Sequence, residues 1–532
     1  MMSRNLDYSY RKQLLENLSS VPHSVWDVAI VGGGAAGLGC ALDAASRGFK
    51  TILIEKGDIA QSTSSKSTKL IHGGVRYLAQ GNILLVKEAL KERGILLENA
   101  SHIVHKKKFI IPVYSYSSLI WYGIGLKIYD LLSGKWSLGK SQMFTRAQAL
   151  PLLDGINKNG LRGAVTYWDG QFDDTRLAVS LMRTIADHGG EVITYCACDE
   201  FIFDTNGKIT GVKCKDQISG NSFLIHAKVV INATGVFTDQ LQQKADASLP
   251  PTIKASKGVH IVTDKKILSE DIAMLIPQTS DGRVLFAVPW HNKVIIGTTD
   301  TPEKEITENP KVNQEDIDYI LKQWNQYAEI PLKKEHIKSV FAGLRPLAIK
   351  GKEGKQTKEI SRGHQVIISN KGLISIIGGK WTTYRKMGED VLDMIIESGL
   401  LKGDVSHTKT LRIHGRKTSL QHSFSIYGTD ADEIIKMIEI QPDLGKKIHP
   451  ELPYIIAEVI WCVRNEMVMK LEDVLSRRLR CLLLDAQATV SCAKQVAEMM
   501  AQELGKDEIW IEQQIKDFYK TAEDYQVNFN FE

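Results

Sequence analysis

Gly32, Gly34 and Gly37 stand at G-x-G-x-x-G spacing in VGGGAAGLG, and Glu55 lies 18 residues beyond Gly37. Residue types at this spacing can hold a nucleotide pyrophosphate and a ribose. Gly32 permits a tight turn, Gly34 lets the backbone approach phosphate oxygens, and Gly37 lets a helix sit close on a strand. Gly33, Ala35 and Ala36 complete the phosphate turn, and a helix N-terminus there faces anionic charge. Glu55, with Lys56 beside it, can accept hydrogen bonds from a ribose diol. These residues work only if local elements hold them. Val28–Val31 predicts a buried strand, Leu38–Arg47 a helix ended by Gly48, and Thr51–Ile54 a second buried strand. Together they are a complete βαβ unit and a dinucleotide site.

The bulk properties narrow the class. A chain of 532 residues predicts two to four domains. The net charge of +5 does not suggest a nucleic-acid binder. Seven scattered cysteines give no disulfide framework and point to a reducing compartment. Cys196-Ala-Cys198 falls short of a zinc pattern and reads as buried thiols; no metal is expected. Residues 1–24 lack the apolar core of a signal peptide. The longest apolar run, Leu119–Leu132, is interrupted by Lys127 and Asp130 and is too short to span a bilayer. The expectation is a chain that is soluble or held to a membrane surface.

Residues 1–25 read as a short helical arm, 26–405 as an oxidoreductase core with interleaved cofactor and substrate subdomains, and 406–532 as a helical C-terminal domain. Within the core, Gln61–Thr68 is a hydroxyl-rich loop, Asn82–Asn99 and Leu177–Gly189 have helical spacing, and Lys228–Gly235 is an apolar strand ending in a small-residue turn. Ala255–Val262, Val284–Val288 and Lys293–Gly297 predict a mostly antiparallel sheet. Leu373–Ile377 is a buried strand, and Thr382–Ser398 a helix.

Two distant segments choose FAD over NAD. Ala233, Thr234 and Gly235 end one strand, and Gly379, Lys380, Trp381 and Thr382 join another to a helix. Glycines there admit close approach, and the helix N-terminus with Lys380 suits the negative charge of a reduced flavin. These stretches, together with STSSKSTKLIHGGVRYL, FAGLRPL, SRGH, GGKWTTYR and EDVLSRRLR, resemble the FAD-dependent, quinone-linked glycerol-3-phosphate dehydrogenases. The resemblance spans residues 27–480 and implies an α/β fold: a Rossmann-like FAD-binding domain, an antiparallel-sheet substrate domain of the amino-acid-oxidase type, and an all-helical C-terminal domain.

The family also implies a site. Ser62, Thr63, Ser64, Ser65, Lys69, His72, Gly73 and Gly74 are expected on the cofactor. The substrate's phosphate and C2 hydroxyl call for cations and a base. Guanidinium forks suit phosphate and alkoxide oxygens, so Arg345 and Arg362 are assigned to substrate, with Lys380 near flavin and substrate oxygens and Arg76 and Tyr77 lining the pocket. Arg345, His260 and Lys380 form the catalytic set. For His260 the roles of general base and of structural histidine stand level. The sequence does not place Asp300 or Thr383, either of which could line the site.

Phe109–Lys140, with Lys106, Lys107 and Lys108 just before it, mixes aromatic and aliphatic residues with lysines; an interfacial segment and a buried helix-loop segment with solvated lysines stand level. The family therefore implies glycerol 3-phosphate and a quinone as partners, a peripheral location on the cytoplasmic face of the cell membrane, and leaves a homodimer open. Arg477, Arg478 and Arg480 could pair with acids of their own domain or face lipid phosphates, and the former is expected. No EF-hand loop is present, so calcium regulation is not expected. Two other enzymes share these motifs in whole or part: a glycerol-3-phosphate oxidase making peroxide, and an amino-acid-type FAD oxidase. A non-catalytic flavin-binding protein is a third reading.

Overall fold

The structure is a computed structural model that describes residues 5–20, 24–79, 81–268, 271–277, 279, 282–349, 363–416 and 424–527. Arg362 lies outside the described residues, and so does the side chain of Arg76.

The predicted βαβ unit forms from Val25–Val31, helix Ala35–Ser46 and Thr51–Ile54. The two strands pair in parallel, Val28 opposite Thr51 and Val31 opposite Ile54. Because both faces are covered, residues 28–31 and 52–54 are continuous apolar runs rather than alternating ones. The parallel core runs Glu191–Ile193, Thr51–Ile54, Val25–Val31, Ser222–Asn232, Ile374–Gly378 in spatial order, with antiparallel strands added at its margins. The strand ends that carry Gly32, Ala233 and Gly379 therefore meet at one edge of the sheet. The N-terminal helix Tyr8–Ser20 is tied down by buried Arg11, which donates to the carbonyls of Thr194 and Tyr195 and pairs with Asp216.

A second, ten-stranded sheet is antiparallel except where Ala273–Ile276 pairs with Val104–Val113. Its longest ladder joins Ile253–Asp264 to Ile337–Ala348. The register sets Ser256 opposite Arg345, Gly258 opposite Gly343, and His260 opposite Phe341. Alternation along a strand places all six residues on one face. That face bears two polar ends and, between them, a pair of glycines.

After an irregular stretch, the chain from Ser425 to Glu523 is helical. These helices do not stand apart: one apolar cluster joins Val459, Val474, Leu482 and Val496 to Val262, Trp290, Ile295 and Phe341 of the second sheet. Arg477, Arg478 and Arg480 are all buried. Arg477 pairs with Glu472 and Asp473 of its own domain as expected, but also with Asp58. Arg478 grips both oxygens of Asp58 at 2.6 and 2.9 Å. The own-domain expectation is thus corrected: burial of three guanidiniums needs more acid than one helix turn offers, and the cofactor domain supplies it.

The Phe109–Lys140 segment divides. Phe109 and Tyr129 are buried, and so is Lys107, which pairs with Asp271 at 2.6 Å. The interfacial expectation does not hold for these three. Helix Tyr116–Ser133, capped by Ser115 Oγ accepting from Ser118 N–H, presents Tyr116, Ile120, Trp121, Ile124, Ile128 and Leu131 to the outside. Among the described residues, no helix is long and apolar enough to cross a membrane.

Candidate active site

One cavity of about 1490 Å³ runs from the βαβ turn to the second sheet. At one end Gly32, Gly34, Ala35 and Ala36 form its wall, with Glu55 and Lys56 beside them. Gly32 has φ +111°, and a Cβ there would lie 2.6 Å from the Ala233 carbonyl. Gly37 packs so closely that a Cβ would meet the Gly32 carbonyl at 1.8 Å, whereas a Cβ on Gly34 would meet only Ser64 Oγ, at 3.1 Å. The first two glycines hold the turn; the third leaves room for a ligand. Glu55 accepts from the amides of Gly33 at 2.5 Å and Gly57 at 2.8 Å. Burial pushes its pKa up, and those two amides oppose the rise. Lys56 turns outward to Glu308 at 2.8 Å. Cys196 and Cys198 line the same end, the first buried and the second half-buried.

Ser62, Thr63 and Ser64 form the middle wall, facing Ala233, Thr234, Gly235 and the Gly379–Thr382 turn. This strap is moored on several sides. Ala35 N–H donates to Ser64 Oγ at 3.0 Å, Trp381 Nε1 donates to the Ser64 carbonyl at 2.8 Å, and Thr63 Oγ1 donates to the Leu344 carbonyl at 2.6 Å. A helix begins at each side of the cavity, after Gly34 and after Lys380, so two positive helix ends face the interior. A long dianionic dinucleotide with an apolar ring system fits this volume and these donors, so the residues present fit FAD.

The other end of the cavity carries the substrate-type groups. Arg345 lies across the sheet face, its guanidinium over Gly258; a Cβ on Gly258 would lie 2.3 Å from Nη2. Arg345 donates to the Thr299 carbonyl at 3.1 Å and to Thr298 Oγ1 at 2.8 Å, with Asp300 at 3.5 Å. Lys380 Nζ stands 4.1 Å above the Tyr77 ring. His72 and Gly74 complete this end. The His72 loop is held from behind: Gly73 N–H donates to Tyr129 Oη at 3.0 Å, and Tyr129 donates to Asp169 at 2.7 Å.

His260 is buried, stacked on Phe341 with ring centroids 4.7 Å apart. Its Nε2 is 2.9 Å from Thr68 Oγ1, while Nδ1 has no hydrogen-bond partner. Burial lowers its pKa well below 6.5, and the charges of Arg345 and Lys69 lower it further. The imidazole is neutral near neutral pH.

The structure thus brings together most of the expected residues. Gly33, Gly37, Ser65 and Gly73 sit behind the cavity wall and shape it. Lys69 is a correction: it lies outside the lining, fully buried, its ammonium 2.6 Å from Asp174 and 2.7 Å from the Ser65 carbonyl. Its backbone is left-handed, φ +61°, which turns the side chain into the core. Asp300 lines the cavity and Thr383 does not. Sequence reasoning missed Thr68, Gly258 and Gly343. The Gly pair carried a signal, one glycine at corresponding positions in KGVH and FAGLR, but only the register of the two strands joins them.

Residues 27–385 match the family described as FAD dependent oxidoreductase, and residues 374–510 the C-terminal domain of alpha-glycerophosphate oxidase. The mitochondrial glycerol-3-phosphate dehydrogenase of Bos taurus is 38% identical, covering 93% of this chain and 72% of its own length. The human enzyme is 37% identical with the same coverage. Among solved structures, the glycerol-3-phosphate dehydrogenase of Bacillus halodurans complexed with FAD superposes with a TM-score of 0.77 at 28% identity, covering 98% of this chain and 99% of that one. The L-alpha-glycerophosphate oxidase of Mycoplasma pneumoniae, at 16% identity and a TM-score of 0.55, covers 72% of this chain and 97% of its own and shares the fold.

Proposed function

The chain belongs to the FAD-dependent glycerol-3-phosphate dehydrogenase family, and from that premise we propose that it oxidises sn-glycerol 3-phosphate at C2 to dihydroxyacetone phosphate and passes the electrons to a membrane quinone. The observation that carries the reading is the cationic end of the cavity, where Arg345 and Lys380 stand beside a neutral, buried imidazole.

FAD, when bound, supplies the two-electron acceptor. The phosphate turn Gly32–Ala36 and Glu55 would hold its nucleotide half, and the Ser62–Ser64 strap with Ala233–Gly235 and Gly379–Thr382 its ring half. Arg345 binds substrate oxygens and favours the alkoxide that develops at C2, since its guanidinium is already oriented by Thr298 and Thr299. Lys380 adds a second positive charge. His260, which lines the cavity on the sheet face that carries Arg345, is the candidate acceptor of the C2 hydroxyl proton. Nearby cations make the free imidazole a weak base. A dianionic substrate on Arg345 offsets that field and raises the basicity of His260 once substrate is in place.

The quinone reading is supported by the apolar arm of the cavity. Phe109, Leu275 and Phe286 line it from the sheet, and Trp121, Tyr122 and Ile124 from helix Tyr116–Ser133. That helix also carries the outward apolar stripe, with Lys106, Lys135 and Lys140 exposed nearby. Aliphatic and aromatic residues flanked by lysines suit attachment to an anionic bilayer surface. A lipid-soluble acceptor could then enter from the bilayer.

The test is anaerobic addition of sn-glycerol 3-phosphate to the purified, FAD-loaded protein, following flavin absorbance near ~450 nm. Rapid bleaching is expected. Reoxidation by ubiquinone in vesicles and not by air separates a dehydrogenase from an oxidase. An unbleached holoprotein removes glycerol 3-phosphate as substrate.

A further inference from the structure

We propose that Arg480, a residue of the C-terminal domain, is a positioning residue for the active site, holding the strap Ser62–Thr68 so that Thr68 orients His260. Three of the strap's moorings come from the cofactor and substrate domains, through Ala35, Trp381 and Leu344. Another comes from the C-terminal helices. Arg480 Nη2 donates to the Ser65 carbonyl at 2.9 Å and lies 3.1 Å from Asp174 Oδ1.

Asp174 gathers the strap around that contact. Its Oδ2 accepts from Ser67 Oγ at 2.7 Å and from Lys69 Nζ at 2.6 Å, and Lys69 also donates to the Ser65 carbonyl. Two buried cations thus converge on one carbonyl and one carboxylate behind the cavity wall. Between Ser67 and Lys69 stands Thr68, whose hydroxyl meets His260 Nε2 at 2.9 Å. A hydroxyl held at Nε2 fixes the orientation of the imidazole ring against the cavity. Burial, and after it the nearby Arg480 charge, bring the Lys69 pKa down to about 7 against the pull of Asp174.

Domain docking by itself does not require Arg480. Arg478 and Arg477 already grip Asp58, and Arg176 makes a bidentate pair with Glu466 at 2.8 and 2.6 Å. Arg480 is different in that, besides the Ser476 carbonyl of its own domain at 3.1 Å and the Trp290 ring, it reaches the strap and its anchor Asp174. It also adopts a left-handed backbone, φ +60°, uncommon for a residue with a side chain, and this aims the guanidinium inward.

The inference uses the proposed reaction only as one of its assays. Arg480→Met and Arg480→Lys holoenzymes are compared with wild type for flavin bleaching by saturating glycerol 3-phosphate, for FAD release on dilution, and for Tm. Arg480→Met is expected to bleach about 10²-fold more slowly and to release FAD faster, because small misplacements of reacting groups are this costly. Arg480→Lys should recover part of both. A lower Tm with wild-type bleaching and wild-type FAD release would reduce Arg480 to core packing and overturn the proposal. Should Arg480→Met fail to fold, Arg480→Gln decides: its shorter, neutral amide removes the charge that Nη2 brings to Ser65 and Asp174, so wild-type bleaching with wild-type FAD release in that variant also overturns the proposal. Were wild type itself not bleached, the substrate reading falls, and faster FAD release from the variants remains the criterion for Arg480.

Discussion

Arg345 is 25% exposed and lies over a residue that has no side chain. Its usefulness depends on that neighbour as much as on its own charge. Arg345→Ala should lower kcat/KM for glycerol 3-phosphate by about 10²–10³-fold, the size expected for losing a preorganised donor at developing charge, with FAD content unchanged. Lysine should not restore it, since one ammonium cannot reproduce a fork. Gly258→Ala is the sharper probe. The new methyl would meet the flexible end of Arg345 rather than backbone, so the fold tolerates it while the guanidinium is displaced. Steady-state kinetics should show kcat/KM down by about 10–10²-fold, with Tm nearly unchanged. At this scale the sequence displayed the cations and the histidine plainly. It showed Gly258 as a glycine in KGVH but not its role, which is to leave space beneath a side chain 87 residues away.

At the scale of elements, the βαβ unit makes opposite demands on two of its glycines. Gly34→Val should leave a folded protein that loses FAD, because only Ser64 Oγ lies near the added carbon and the remaining space is the ligand's. Gly37→Val should not fold, because the Gly32 carbonyl occupies the required volume. Flavin content and a thermal melt of each apoprotein distinguish the two. Helix Tyr116–Ser133 supports a third expectation: Trp121→Ser with Ile124→Ser should cut sedimentation with anionic vesicles several-fold and leave bleaching by glycerol 3-phosphate near wild type, since both residues are far more exposed than the site they border. Equal sedimentation of variant and wild type would exclude this face as the attachment surface. The helix was legible only as a mixed apolar and basic stretch. Which of its aromatics face outward depends on the sheet it covers, and that sheet is completed by strands more than 150 residues later.

At the scale of the molecule, the C-terminal helices are joined to the cofactor domain by buried ion pairs. Burial alone would raise the Glu466 pKa, but Arg176 and Arg478 bring it down to about 2. A carboxylate depressed in this way contributes stability fully above its unfolded value of 4.5 and loses it as the pH falls from 4.5 toward 2. Thermal melts should therefore show Tm falling steeply below about pH 4.5, and Glu466→Gln, already destabilised at neutral pH, should show a shallower acid slope. Much of this protein was determined by sequence alone: the βαβ unit, the three strand ends that meet at one cavity, and the family. The first two rest on short-range periodicity and on residue types whose chemistry is local, and the family on the resemblance of motifs spread over residues 27–480. Tertiary structure alone decided that Lys69 turns into the core, that Gly258 makes room for Arg345, and that Arg480 reaches Ser65. Each of these depends on sheet register and on burial of charge between distant segments, and a buried cation must find its partner wherever the fold brings an anion or carbonyl within reach.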